Sequence, residues 1–237
     1  MMPPSDLRLC YITDRHALAP RPLLPVIVAA IEAGVDLVQI REKDLPTPEL
    51  VVLVEAALDA ARRVRPGSVP RVVVNDRLDV ALGTGAAGVH LGGQSIPAEA
   101  ARAALAELGR AGMCVGVSCH SASDVKAAER AGADYVLLGP IFETASKAGF
   151  GPPLGLEGLA QAARGRRIPL LALGGVTLSR VRACLEAGAT GVAGITMFQS
   201  SISMAECVAA LRGEVDGFLR ERGQAAEPPA EGGDGVE

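Results

Sequence analysis

Polar residues gather in this chain wherever a short apolar run ends. Residues 72–74 (VVV) run straight into Asn75, Asp76 and Arg77, and residues 88–91 (GVHL) contain His90 and lead into Gly92, Gly93, Gln94 and Ser95. Residues 78–82 between them read as a short helix. Strand, polar tip, helix, strand, polar tip is one βαβ unit. Parallel strands put their carboxyl ends at one edge of a sheet, so both polar clusters face the same space. A carboxylate, an amide and an imidazole there point to a binding site.

The same arrangement recurs along the chain. Asp14 and Arg15, then Gln39, Arg41 and Lys43, then Ser118 and His120 each sit at the end of an apolar run. So do a loop holding Thr144, Ser146 and Lys147, the pair Gly174-Gly175, and Ile195-Thr196. Three chemistries follow. Arg41, Lys43 and Lys147 supply positive charge for a polyanion. Asp76 can hold Mg²⁺, which takes one or two carboxylates and completes its shell with phosphate oxygens and water. The glycine pair and Ile195-Thr196 offer backbone N–H groups to a phosphate. Each residue also has a plainer reading: Asn75-Asp76 as a helix cap, the REKD run as a solvated turn, His120 as a satisfied structural histidine, Cys119 as a small buried hydrophobe. Their convergence carries the functional reading.

Eight strands alternating with helices must position these groups. The strands are expected at residues 9–13, 37–40, 72–74, 88–91, 115–118, 135–138, 170–173 and 192–195. Helices are expected at 24–33, 48–63, 78–82, 97–108, 121–131, 156–164, 178–187 and 204–222. Thr47 followed by Pro48 is an N-terminal signal, and Ser121 followed by Asp124 resembles a capping box. A weak repeat, EAGVDLVQI, GTGAAGVHL, RAGADYVLL and EAGATGVAGI, ends a helix on glycine and begins a strand a few residues on. The four copies are spaced roughly two βα units apart, and eight βα units in 237 residues fit a single (β/α)₈ barrel. No G-x-G-x-x-G follows the first strand, which disfavours a doubly wound sheet. In a barrel the active face lies at the carboxyl ends of the strands, and a phosphate is often held after the seventh and eighth. Gly174-Gly175 and Ile195-Thr196 occupy those two places.

Composition agrees. Apolar residues make up 49% of the chain, yet there are two Tyr, four Phe and no Trp, so the core must be aliphatic. A net charge of −4 without a long basic run argues against nucleic acid or an anionic membrane as partner. The five cysteines are scattered, with no C-x-x-C pair, which indicates neither a disulfide framework nor a zinc cage. No signal pattern or membrane-spanning run is read, so a cytoplasmic protein is expected. One domain is expected over residues 1–222. Residues 223–237, made of Gly, Pro, Ala and acid with little else, are expected to be a disordered tail.

YITDR (11–15), VQIREKD (38–44), VNDRLDVAL (74–82), GVHLG (88–92), VSCHS (117–121), DYVLLGPIFETASK (134–147) and ALGGV (172–176), in this order and spacing, resemble thiamine-phosphate synthase. The superfamily also contains the thiazole tautomerases. The resemblance implies a transferase of thiamine biosynthesis with small phosphorylated substrates. It joins hydroxymethylpyrimidine diphosphate to a thiazole phosphate and releases diphosphate, with Mg²⁺ as cofactor; a homo-oligomer is compatible with it. It implies that Arg41, Lys43 and Lys147 hold the diphosphate and Asp76 the magnesium. Gln39, Asn75, His90 and Ser118 would contact the pyrimidine, and Thr144, Ser146, Gly175, Ile195 and Thr196 the thiazole phosphate. The family pattern has an Asp as second magnesium ligand where this chain has Ser95. The tautomerase branch often lacks that Asp too, and uses the histidine matching His120 for proton transfer; a non-catalytic thiazole- or thiamine-phosphate binding protein is a third reading.

Overall fold

The computed structural model describes residues 6–64, 71–144 and 152–226. In chain order the elements are β1 (Leu9–Ile12), α1 (Arg15–Leu18), α2 (Leu23–Ala33), β2 (Leu37–Ile40), α3 (Thr47–Val64), β3 (Arg71–Asn75), α4 (Leu78–Thr84), β4 (Gly88–Leu91) and α5 (Ala98–Glu107). They continue as β5 (Cys114–Cys119), α6 (Ala122–Arg130), β6 (Tyr135–Leu138), α7 (Gly155–Ala163), β7 (Leu170–Ala172), α8 (Leu178–Glu186), β8 (Gly191–Gly194), α9 (Thr196–Gln199) and α10 (Met204–Ala226). The eight strands are parallel and close into a barrel, β8 pairing with β1. The expected (β/α)₈ barrel is the observed fold.

The strands alternate in whom they pack against. Leu9, Tyr11, Val38, Val72 and Val74 join the helix-facing cluster with Ile27, Val54 and Leu105. Their neighbours Cys10, Ile12, Leu37 and Val73 form a second cluster with Tyr135, Leu137, Leu171 and Ala193, which contains no helical residue and fills the barrel. That is the two-residue period of a strand used twice, once outward and once inward.

The sequence repeat marks the opposite face from the polar tips. Gly34 ends α2 with a φ of 99°, its N–H bonded to the Ala30 and Ile31 carbonyls. Just beyond, the Asp36 carboxylate accepts the N–H groups of Arg8 and Leu9 at 2.9 and 2.8 Å, and Arg212 pairs with it. Asp134, at the equivalent place in a later copy, accepts the Val115 N–H at 2.7 Å and pairs with Arg102. Thr190 does the same for Leu170, accepting its N–H at 3.0 Å. The repeat therefore closes the feet of neighbouring strands, which is a stability role.

Two short helices were not expected. α1 and α9 have four residues each, too few to show a helical period. α1 exists because the Asp14 carboxylate accepts the N–H groups of His16 and Ala17 at 3.0 and 3.2 Å. The last helix runs on to Ala226 rather than stopping at Arg222, and residues 227–237 lie outside the described ones. Among the described residues no helix is long and apolar enough to cross a membrane.

Candidate active site

The carboxyl ends of the strands surround a cavity of about 1300 Å³. Gln39, Arg41, Lys43, Asn75, Asp76 and Ser118 line one side, from β2 to β5; Thr144, Gly174, Gly175, Ile195 and Thr196 line the other, from β6 to β8. His120 also reaches the wall. Ser146 and Lys147 lie outside the described residues.

Asp76 does not cap α4. The N-cap is Arg77, which makes no side-chain cap bond. Asp76 instead sits in the left-handed region with a φ of 61°, which Asp tolerates better than most residues. Its own N–H bonds to the His90 carbonyl at 2.8 Å, fixing the tip of β3 to β4. The carboxylate accepts the Gly92 N–H at 3.2 Å, the Asn75 amide at 2.6 Å and the Ser95 hydroxyl, and Lys43 lies 3.9 Å away. Because a carboxylate only accepts, Asn75 must present its NH₂ to Asp76 and its carbonyl to Gln39, whose Nε2 donates at 2.8 Å. Among the described residues no group of three His, Cys, Asp or Glu gathers to hold a metal. Asp76 is on the cavity wall, and Ser95, which does not line it, bonds to Asp76 from behind; one carboxylate beside a hydroxyl is still a hard-oxygen set that suits Mg²⁺ sharing phosphate oxygens.

His90 is 1% exposed and does not line the cavity. It stands behind Ser118, with Nε2 2.9 Å from the Ser118 hydroxyl and Nδ1 3.0 Å from the Tyr135 hydroxyl. Burial pushes its pKa down to about 3, so the ring is neutral near pH 7, one nitrogen donating and the other accepting. Its place supports the Ser118 hydroxyl rather than offering a surface of its own. A Cβ on Gly116 would lie 2.1 Å from the Tyr135 ring, so only glycine at that inward position lets Tyr135 reach His90.

The charged run after β2 divides by the strand period. Arg41 and Lys43 line the cavity, whereas Glu42 turns away and is 5% exposed. Its carboxylate accepts the Thr13 hydroxyl at 2.6 Å, the Arg15 N–H at 3.1 Å and the Arg15 guanidinium at 3.2 Å. Thr13 in turn accepts the Arg41 N–H at 2.9 Å. A buried carboxylate thus ties β1 to β2 and sets where the two cations stand. Sequence reading passed over Glu42 and Tyr135. The alternation in REKD was the available signal for the first; Tyr135, deep in a strand, carried none.

On the far side, Gly174 and Gly175 have φ of 91° and 64°. A Cβ on Gly175 would meet the Glu143 carbonyl at 2.5 Å, so the turn wedges tightly under the β6–α7 loop. Ile195 precedes α9 and its carbonyl accepts the N–H groups of Phe198 and Gln199. The helix is held by Gln199, whose amide donates to the Asp14 carbonyl at 2.9 Å, and by the Tyr11–Phe198 ring contact. His120 bonds through Nδ1 to the Gly139 carbonyl, which can only accept. Nδ1 therefore carries the proton.

Comparison with known proteins identifies the family. The family model described as thiamine monophosphate synthase matches residues 9–198. A thiamine-phosphate synthase of Roseiflexus sp. (strain RS-1) is 38% identical, covering 94% of this chain and 91% of that one. One from Albidiferax ferrireducens is 39% identical over 87% of this chain and 90% of its own. The solved structure of thiamine phosphate pyrophosphorylase from Pyrococcus furiosus superposes with a TM-score of 0.79 at 30% identity, covering 91% of this chain and 98% of that one. With its barrel, its strand-end motifs and these relatives in agreement, the chain belongs to the thiamine monophosphate synthase family.

Proposed function

We propose that this chain is a thiamine-phosphate synthase, joining hydroxymethylpyrimidine diphosphate to a thiazole phosphate and releasing diphosphate. The observation that carries the reading is the division of one cavity. Arg41, Lys43 and Asp76 stand on one side, and the Gly174-Gly175 turn with Ile195 and Thr196 on the other. Two anions can thus be held at once with their organic parts between them. Diphosphate departs from the pyrimidine methylene, and the thiazole nitrogen takes its place at that carbon. Such a reaction needs positioning and charge stabilisation more than acid–base work.

Arg41 and Lys43, joined by Lys147, stabilise the leaving diphosphate. Asp76, with Ser95 beside it, would hold Mg²⁺, which would supply further positive charge for the same leaving group. Gln39 and Asn75 orient the pyrimidine, their amides aligned by Asp76, and Ser118 meets it with a hydroxyl fixed by His90. Thr144, Ser146 and the backbone at Gly175, Ile195 and Thr196 hold the thiazole phosphate.

Ser95 favours one rival, a thiazole tautomerase, because a hydroxyl replaces a metal carboxylate. In that case Nε2 of His120 would move the proton. Incubating the protein with both phosphorylated substrates and Mg²⁺ separates the two. Synthase activity gives thiamine phosphate and diphosphate in equal amounts. Isomerisation of the thiazole without coupling would overturn the proposal.

A further inference from the structure

Arg180 has no part in the site as drawn so far, yet it stands on the same cavity wall as Gly175, Ile195 and Thr196. It lies in the first turn of α8. Its Nη1 donates to the Gly175 carbonyl at 2.7 Å, and its guanidinium lies over the Phe142 ring, 4.5 Å from the centroid. Phe142 is itself tied to the glycine turn, its N–H bonding to the Gly174 carbonyl at 3.0 Å. These two contacts fix the plane of the guanidinium at the turn proposed to hold a phosphate. One carbonyl uses only part of a five-donor fork, and the residue is exposed, so donors remain for an incoming anion.

The charge of the described residues on this side of the cavity gives Arg180 its weight. Among the described residues lining the cavity, the other ammonium and guanidinium groups, Lys43 and Arg41, follow β2. The β6-to-α10 side carries the carboxylates of Glu143 and Glu206. Of the described residues, a phosphate dianion entering there would meet two acidic ones and one cation, Arg180. Backbone N–H groups alone would not discriminate a phosphate ester from its alcohol strongly in that field.

We propose that Arg180 binds the phosphate of the thiazole substrate and sets the preference for the phosphorylated thiazole over its alcohol. The inference rests on the synthase reading for the identity of the ligand, and its test is chosen to separate the two. Calorimetric binding of thiazole phosphate and of the thiazole alcohol is measured on wild type, Arg180→Ala, Arg180→Lys and Phe142→Leu, each checked for an unchanged melting curve. Steady-state KM for both synthase substrates is measured alongside.

In Arg180→Ala, affinity for thiazole phosphate should fall about tenfold or more, as expected for a lost charge-assisted contact. Alcohol binding and the KM for the pyrimidine diphosphate should stay within about twofold, small against that loss. Arg180→Lys should recover part of the loss, and Phe142→Leu, which keeps the charge but loosens its seat, should lose clearly less than Arg180→Ala. Equal loss for phosphate and alcohol, or a Phe142→Leu variant as weak as Arg180→Ala, would make Arg180 a clamp on the loop and overturn the assignment. So would thiazole phosphate binding that does not depend on Arg180, or no binding to wild type at all. If wild type binds thiazole phosphate through Arg180 yet forms no thiamine phosphate, the synthase reading fails and the assignment stands.

Discussion

Replacing Ser95 by Asp adds a carboxylate where the Ser95 hydroxyl now bonds to Asp76. Two unit charges about 4 Å apart interact by ~1 kcal/mol in water and ~4 kcal/mol at an effective dielectric near 20. The Asp76 side chain is 33% exposed, so the lower part of that range applies. Without metal the new pair repels, and Lys43 at 3.9 Å offsets only part of it. Metal-free Ser95→Asp should therefore lose about 1 kcal/mol, or roughly 2–4 °C in melting temperature for a domain of this size. A divalent ion attracts each carboxylate twice as strongly, and binding also relieves the repulsion. After dehydration of the ion is offset, a gain of ~1.4 kcal/mol or more should survive, which is about tenfold in half-saturating Mg²⁺. The assay is a magnesium titration of wild type and variant, read both as thiamine phosphate formed and as the Mg²⁺-dependent rise in melting temperature. An unchanged or higher magnesium requirement in Ser95→Asp would refute the placement of the metal between Asp76 and residue 95.

Other perturbations follow from the same geometry. His90 has its pKa depressed to about 3 by burial against an ordinary value of 6.5, so the unfolded chain binds more protons between these values. Its stabilising contribution is complete above pH 6.5 and is lost as pH falls, at ~1.4 kcal/mol per unit, so urea unfolding at pH 7 and pH 5 should show wild type losing about 2 kcal/mol more than His90→Gln; parallel losses would contradict it. Tyr135→Phe leaves a buried His90 nitrogen without its partner and should cost about 1–3 kcal/mol in the same assay, whereas a cost near zero would mean the bond to Tyr135 is not needed. Glu42→Gln removes the negative charge facing Arg15 and should raise the KM for the pyrimidine diphosphate more than that for thiazole phosphate; equal changes would show that Glu42 does not position Arg41 and Lys43. Removing residues 227–237 should leave melting temperature and turnover unchanged, and a clear loss of either would show that this acidic end docks somewhere.

The barrel was legible because its signals are local and repeated. Apolar runs such as residues 37–40 and 88–91 coincide with β2 and β4. Gly34, Gly85, Gly132 and Gly188 all adopt positive φ at the helix ends where the repeat put them. Residues at strand tips were legible for the same reason: Arg41, Lys43, Asn75, Asp76 and Ser118 all line or border one cavity once the sheet closes. Contacts between distant strands left no such mark. That His90 stands behind Ser118 depends on Tyr135 reaching across from β6 over Gly116, a packing event between three strands. That Asp76 turns from α4 toward Ser95 depends on a backbone conformation no sequence period encodes. The meaning of the repeated Asp36 and Asp134 became plain only when their carboxylates were seen closing the feet of neighbouring strands.

Simultaneous occupancy of the two sides of the cavity tests the proposed chemistry most directly, independently of turnover. Thiazole phosphate is titrated calorimetrically into wild type alone and into wild type saturated with magnesium diphosphate, and the order is then reversed. Two separate anion sites predict one equivalent of each ligand bound in the presence of the other, with Arg41→Ala weakening diphosphate alone. Competition between the two ligands for one site would contradict it.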